Sequence, residues 1–358
     1  MIRVLHIFHQ MANGGVEHFV MNFYRNIDRS EVQFDFLTSV ESDGYFDEEI
    51  RALGGKLYRA YPLKKNPIRN YFDIAHIVQK NHYDIVHRHT GSAFGYFDLR
   101  AARHGGAKYL ILHSHNPQAG KPILHSVFDM FLKFDCIKFA CSREAGEFLF
   151  GTGAEFEVMN NAIDCDKFEF DPAIRAQVRE ELGIADSFVM GHIGRFEMQK
   201  NHEKLFEIFY EILQKRPNSC LVCVGVGSLM DNRKEQAKRM GIYDKVRFLG
   251  SRNDVKRIIQ AFDFFVFPSK YEGFSITQIE AQVNGLKCFT SRSCVPFSSN
   301  ITGNVRFIGL EEPAEVWAET ILESNLTRDL SAIDVVKNAG YDIINAAKKL
   351  TEFYRSLR

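Results

Sequence analysis

The chain lacks net charge: forty-five Lys and Arg residues are matched by forty-five Asp and Glu residues over 358 positions. A neutral chain has no bulk field to gather polyanions, so a dedicated nucleic-acid binder is disfavoured. It also lacks any uninterrupted apolar run long enough to span a bilayer. Its first residues, MIRVLHIFHQMANGG, read as a strand and loop, not as a signal peptide. The expected location is therefore the cytoplasm. The seven cysteines are odd in number and scattered, which argues against a disulfide framework. The C-x-x-C pair, Cys220 and Cys223, lies in SCLVCVGVG, which reads as a buried strand. Residues three apart on a strand face opposite sides, so two buried thiols are expected and not a metal or redox pair. The loop after the first strand is not G-x-G-x-x-G, which disfavours a dinucleotide cofactor. No residue stands out as a covalent nucleophile.

What is present is a regular alternation of strands and helices. Strands are expected at Arg3–Phe8, Phe34–Thr38, Lys56–Arg59, Ile85–Arg88, Tyr109–His113 and Ile137–Ala140, with helices such as Glu17–Asn26 and Tyr71–Lys80 between them. A second series follows at Phe188–Ile193, Leu221–Gly225, Val246–Leu249, Phe264–Phe267 and Lys287–Thr290. Such alternation implies parallel sheets covered on both faces. The length suits two domains. The polar stretch VMNNAIDCDKFEF (158–170) breaks the apolar rhythm and marks the boundary. The domains are expected at 1–163 and 164–341, with a last helix near 342–358 returning to the first.

The most informative segment is DFFVFPSKYEGFSITQIE, residues 263–280. A strand ends in Pro268-Ser269, and a loop carrying Glu272, Gly273, Phe274 and Ser275 feeds a helix from Ile276 that bears Glu280. A glycine-containing loop entering a helix presents free backbone N–H groups and a positive dipole end to an anion. Both carboxylates can accept hydrogen bonds from hydroxyls. A diphosphate flanked by hydroxyl-rich rings, that is, a nucleotide sugar, suits this pattern. The plainer reading is a loop glutamate and a solvated helix glutamate. In HIGRFEMQKNH (192–202), Arg195 and Lys200 follow a strand end and a turn glycine, two cations suited to a diphosphate. NGGVE (13–17) and VGVGS (224–228) are glycine turns after strands, and HSHN (113–116) follows the fifth strand. His113 and His115 are read as alternating, so that one of them faces the site. A zinc reading joining them to His87 and His89 lacks a third-ligand pattern.

These motifs, in this order, closely resemble those of the retaining glycosyltransferases of family 4, over nearly the whole chain. The resemblance implies the GT-B fold: two Rossmann-like parallel-sheet domains, one for the acceptor and one for the nucleotide sugar, facing across a deep cleft. It gives Glu272 the donor sugar and Glu280 the ribose. Arg195 and Lys200 hold the phosphates, helped by N–H groups near Gly273, Phe274, Ser275 and Ile276. Gly14, Gly15 and Glu17 match the loop beside diphosphate and acceptor. His115, with His113 second and Asn116 beside it, matches the loop that contacts the reacting sugar. Gly225 and Gly227 match the turn near the base. The linker Asn160-Asn161-Ala162-Ile163-Asp164 lacks the glycine of the family's Asn-Gly-Ile-Asp. The implied reaction is a retaining transfer from a nucleoside diphosphate sugar, UDP by default, to a glycan or polyprenyl-diphosphate-linked acceptor in bacterial surface polysaccharide synthesis. No cofactor and no metal are expected, since no acidic cluster stands by the diphosphate site. A nucleotide-sugar epimerase and a catalytically silent nucleotide-sugar-binding partner remain as alternatives.

Residues 51–143 hold fifteen Lys and Arg against five Asp and Glu, and include the amphipathic stretch Ile123–Phe134. An ordinary core-facing helix explains that stretch. An anionic surface at the inner face of the plasma membrane, or a lipid diphosphate acceptor, explains it together with the charge.

Overall fold

The computed structural model describes residues 1–40, 42–116, 130–272, 275–292 and 294–358. Gly273, Phe274 and most of the 123–134 stretch lie outside the described residues. The chain divides into two compact units, Met1–Ala162 with Ile343–Arg358, and Ile163–Asp342.

The first unit holds the strands β1 (Ile2–Ile7), β2 (Val32–Thr38), β3 (Leu57–Arg59), β4 (Ile85–Thr90), β5 (Tyr109–Ser114), β6 (Ile137–Ala140) and β7 (Glu157–Val158). They form one parallel sheet in the order β3-β2-β1-β4-β5-β6-β7. Every residue of β2 is buried, as a parallel strand covered on both faces requires. The covering helices start where the sequence caps them. Asn66 accepts from the Arg69 N–H ahead of Pro67, opening the helix Pro67–Asn81. The terminal helix Ile343–Ser356 lies against the helix Gly15–Asn26. It sends Ile343, Ala347, Leu350 and Tyr354 into the core that contains Val4, Phe34, Phe36 and Ile111.

The second unit holds β8 (Phe188–Ile193), β9 (Ser219–Val224), β10 (Val246–Phe248), β11 (Phe264–Phe267), β12 (Lys287–Ser291) and β13 (Val305–Ile308). These are parallel in the order β10-β9-β8-β11-β12-β13. The two parallel-sheet Rossmann-like units expected from the alternation are thus present. Cys220 and Cys223 are free thiols buried in different core clusters on the two faces of β9, as the strand period requires. Burial pushes both thiols up.

Strand order reverses between β1 and β4 in the first sheet and between β8 and β11 in the second. Open parallel sheets bind ligands outside the carboxyl ends of the strands at such reversals. The glycine loop follows β1, the Arg195 loop follows β8, and Pro268-Ser269 follows β11.

Candidate functional site

In the second unit the Arg195 and Glu272 loops are locked together. Asn201 adopts a left-handed conformation (φ 53°) after the short turn Met198–Lys200, and its Nδ2 donates to the Pro268 carbonyl at 3.1 Å. The Lys270 N–H donates to the Gln199 carbonyl (2.8 Å), and Gln199 Nε2 to the Tyr271 carbonyl (3.0 Å). This brings Lys200 Nζ to 2.7 Å from Glu272 Oε1 and 4.4 Å from the Phe267 ring centroid. Both side chains are largely buried, at 16% and 7% exposure. A cation and a carboxylate from separate motifs therefore share one point at the sheet end. Arg195 is exposed, and its guanidinium has no hydrogen-bond or ion-pair partner among the described residues.

Ser275 precedes the helix Ile276–Val283 with extended backbone, and its hydroxyl pairs with that of Thr277 (3.0 Å), leaving the first-turn N–H groups without a side-chain cap. Glu280 keeps a partly exposed edge, yet burial lifts its carboxyl to about 7. No cation or hydrogen-bond donor meets it among the described residues. A carboxyl in that setting gains from a hydroxyl-bearing ligand.

The glycines of VGVGS have a structural reason. Gly225 has φ +139°, and a Cβ there would fall on the Gly194 carbonyl oxygen. A Cβ at Gly227 would meet the Phe196 carbonyl oxygen at 2.5 Å. The Phe196 N–H donates to the Val226 carbonyl (3.1 Å), and the Leu229 N–H to that of Phe196 (2.9 Å). The turn presses backbone against backbone and so braces the loop that carries Arg195. Sequence reasoning missed three polar groups here. His192 donates Nδ1–H to the Val266 carbonyl (2.8 Å), while its buried Nε2, the hydroxyl of Ser269 and both side-chain ends of Gln278 have no partner among the described residues.

In the first unit, Gly14 caps the helix Gly15–Asn26. Its φ of −116° suits any residue, and the Glu17 carboxylate folds back over it, with Oε2 2.5 Å from where a Cβ would stand. Burial raises the Glu17 carboxyl. Gly15 has nothing within 4 Å of its Cβ position, so its backbone is open. Asn116 is exposed and packs over Gly91.

The histidines need a correction. His113 and His115 do not take opposite faces: residues two apart on a strand share a face, and their rings stack with centroids 4.1 Å apart. His87 and His89 lie on the same face, since His89 pairs in register with His113. β1 adds His6, in register with His87, which the search for a third ligand overlooked. His6 Nδ1 lies 3.0 Å from His89 Nε2, His89 Nδ1 is 2.9 Å from His115 Nε2, and His87 Nε2 is 3.2 Å from His113 Nδ1. The Tyr354 hydroxyl of the terminal helix is 2.7 Å from His87 Nδ1. Burial lowers all five, His6 and His115 to about 3. They are uncharged at neutral pH.

With this geometry in place, comparison with known proteins decides the family. EpsF of Bacillus subtilis, named as a glycosyltransferase, is 34% identical over 333 residues, covering 89% of this chain and 86% of EpsF. The chain belongs to the GT-B glycosyltransferases. The family described as Glycosyltransferase Family 4 matches residues 13–167 of this glycosyltransferase, and Glycosyl transferases group 1 matches 174–330. The UDP-Gal:alpha-D-GlcNAc-diphosphoundecaprenol alpha-1,3-galactosyltransferase of Escherichia coli is 30% identical over 298 residues, covering 76% of the glycosyltransferase and 73% of that relative. Among solved structures, HepE of Anabaena in complex with UDP superposes with a TM-score of 0.80 at 19% identity over 99% of this chain and all of that one, a likeness of fold.

Proposed function

We propose that this glycosyltransferase moves a sugar from a UDP-sugar, with retention of configuration, to a lipid-diphosphate-linked or glycan acceptor in bacterial surface polysaccharide synthesis. The observation that carries the reading is Glu280: a half-buried carboxyl raised to about 7, unpaired among the described residues, on the helix that the Glu272 loop enters. Ribose hydroxyls are the partners it lacks. The Escherichia coli relative is named for a UDP donor and an undecaprenol diphosphate acceptor. CapH of Staphylococcus aureus, 23% identical over 380 residues, is named for capsular polysaccharide. The first name supports the donor and the acceptor class, and the second supports the setting.

In the proposed reaction the acceptor oxygen bonds to the anomeric carbon as the bond to the diphosphate oxygen breaks. The electron pair leaves with the diphosphate, and a phosphate oxygen on the same face takes the acceptor's proton. Arg195, Lys200 and the first N–H groups of the Ile276–Val283 helix stabilise the charge that develops there. Lys200 is held by Glu272 until substrate arrives; phosphate then competes for the ammonium, and Glu272 is released toward a sugar hydroxyl. Glu280 takes the ribose, and Gly225 and Gly227 act by shaping the Arg195 loop. Gly14, Gly15 and Glu17 serve the acceptor side, and His115, with His113 and Asn116, positions the sugar. No cofactor or metal takes part in these steps.

Membrane contact is part of the same proposal. Met130 and Phe131, at the end of the amphipathic stretch, are 77% and 70% exposed, and Ile68 and Phe72 are also exposed. Arg100 and Arg103 stack over nearby Phe134. Apolar side chains beside cations suit an anionic bilayer surface.

Incubation with UDP-sugars and a synthetic polyprenyl-diphosphate glycan tests the whole reading. NMR should show a product whose new linkage keeps the donor's anomeric configuration. Epimerised nucleotide sugar without transfer, or an inverted linkage, would refute it.

A further inference from the structure

The histidine face of the first unit holds five imidazoles, and the two that the proposed reaction uses, His113 and His115, are also placed to take a second ligand. His6, His87, His89 and His113 are buried, and His115 is partly so. One ring nitrogen from each of His89, His113 and His115 lies within 4.8 Å of the other two, and neither this group nor the neighbouring His6, His87, His89 group contains a carboxylate. We propose that His89, His113 and His115 form a binding site for a zinc-class divalent cation, oriented from behind by His6, His87 and Tyr354.

Neutral imidazole is the ligand form of histidine, and borderline cations such as zinc favour it over harder ions. His89 Nδ1 and His115 Nε2 face each other at 2.9 Å. Two ligand nitrogens of a tetrahedral site with bonds near 2.0–2.1 Å stand roughly 3.3 Å apart, so this pair has the spacing of shared coordination, and the stacked rings of His113 and His115 must turn to aim their lone pairs at one point. His113 Nε2 is buried with no partner among the described residues, a polar atom that a cation would employ.

The remaining nitrogens fit one protonation pattern. His113 Nδ1–H donates to His87 Nε2 (3.2 Å), and His87 Nδ1–H donates to the Tyr354 hydroxyl (2.7 Å). His89 Nε2–H donates to His6 Nδ1 (3.0 Å). Each inner ligand thus gives its second N–H to a fixed acceptor, the arrangement that orients metal-bound imidazoles. Three neutral ligands leave a fourth position for water beside His115, the partly exposed member.

The test uses the full chain without an affinity tag, stripped by chelator and dialysed against zinc chloride. The expected result is zinc bound in a one-to-one ratio, visible d–d absorption of a four-coordinate ion on cobalt substitution, and three imidazole scatterers by X-ray absorption. His113→Phe and His115→Phe should each weaken binding at least about tenfold, while His104→Gln, at an exposed helix end outside the group, should leave it unchanged. X-ray absorption on the unaltered protein keeps the test open if a variant does not fold. Zinc below stoichiometry, sulfur or carboxylate ligation, or full retention by both phenylalanine variants would overturn the proposal.

Discussion

The two units use one sheet plan to build opposite electrostatic surroundings. At its strand reversal the first unit buries uncharged imidazoles against Phe8, Phe19 and Phe139. At the matching place the second unit keeps an ion pair, Lys200–Glu272, an exposed cation, Arg195, with no partner among the described residues, and a protonatable carboxyl, Glu280. A charge without full solvation is costly to hold and valuable to a charged ligand; a neutral polar group is cheap to hold and serves by position. Substitutions in the second unit should therefore reach activity, and those on the histidine face should reach stability first.

Lys200→Ala gives the largest expected effect. It removes a cation that the proposed reaction sets against the leaving diphosphate, and it frees Glu272 from its partner. The turnover number should fall about 10²–10³-fold, while the melting temperature moves by only a few degrees. A variant that unfolds but retains turnover per folded molecule would break the contrast between the units. Next is Gly225→Ala. Its Cβ would meet the Gly194 carbonyl at a φ that L-residues rarely adopt, so a cost of about 2–4 kcal/mol is expected. Activity should fall with it, because the displaced loop carries Arg195.

Acid should divide the units. The five imidazoles of the first are depressed from 6.5, His6 and His115 to about 3. Below pH 6.5 the unfolded chain binds more protons at these sites, so stability falls as pH drops from 6.5 toward about 3. His192, at about 4, and His202, at about 2, act the same way in the second unit. Glu280 opposes them: with its carboxyl raised to about 7, the folded state holds the extra proton, and its contribution to stability is lost as pH rises from 4.5 to 7. Hydrogen exchange at pH 5 should therefore show the first unit opening before the second. Equal opening would remove the distinction. The smallest effect is Tyr354→Phe, which deletes one hydrogen bond to His87 and should cost about 1 kcal/mol in denaturant titration with activity kept.

Much of the fold was legible because parallel strands buried on both faces announce themselves as apolar runs. β6, β8 and β11 begin and end where the pattern places them. β7 escaped notice because it is two exposed residues, Glu157 and Val158, at a sheet edge, with no apolar pattern to read. β13 is four residues with an exposed Arg306 inside it. The Lys200 and Glu272 motifs were readable from local spacing, but their ion pair depends on β11 lying beside β8. The same limit hid His6: seventy-nine positions of chain separate it from Ile85, and only the β1–β4 pairing brings it to His87. The error over His113 and His115 has a different origin, a misapplied strand period.

The most direct test of the central claim is thermal stabilisation by nucleotides, measured on the wild type and Glu280→Ala across pH. The account predicts that UDP or a UDP-sugar raises the melting temperature, that the alanine variant loses most of the shift, and that the wild-type shift grows as pH rises through about 7, where Glu280 becomes a full acceptor for ribose hydroxyls. Equal stabilisation of both proteins, or none by any nucleoside diphosphate, would contradict it.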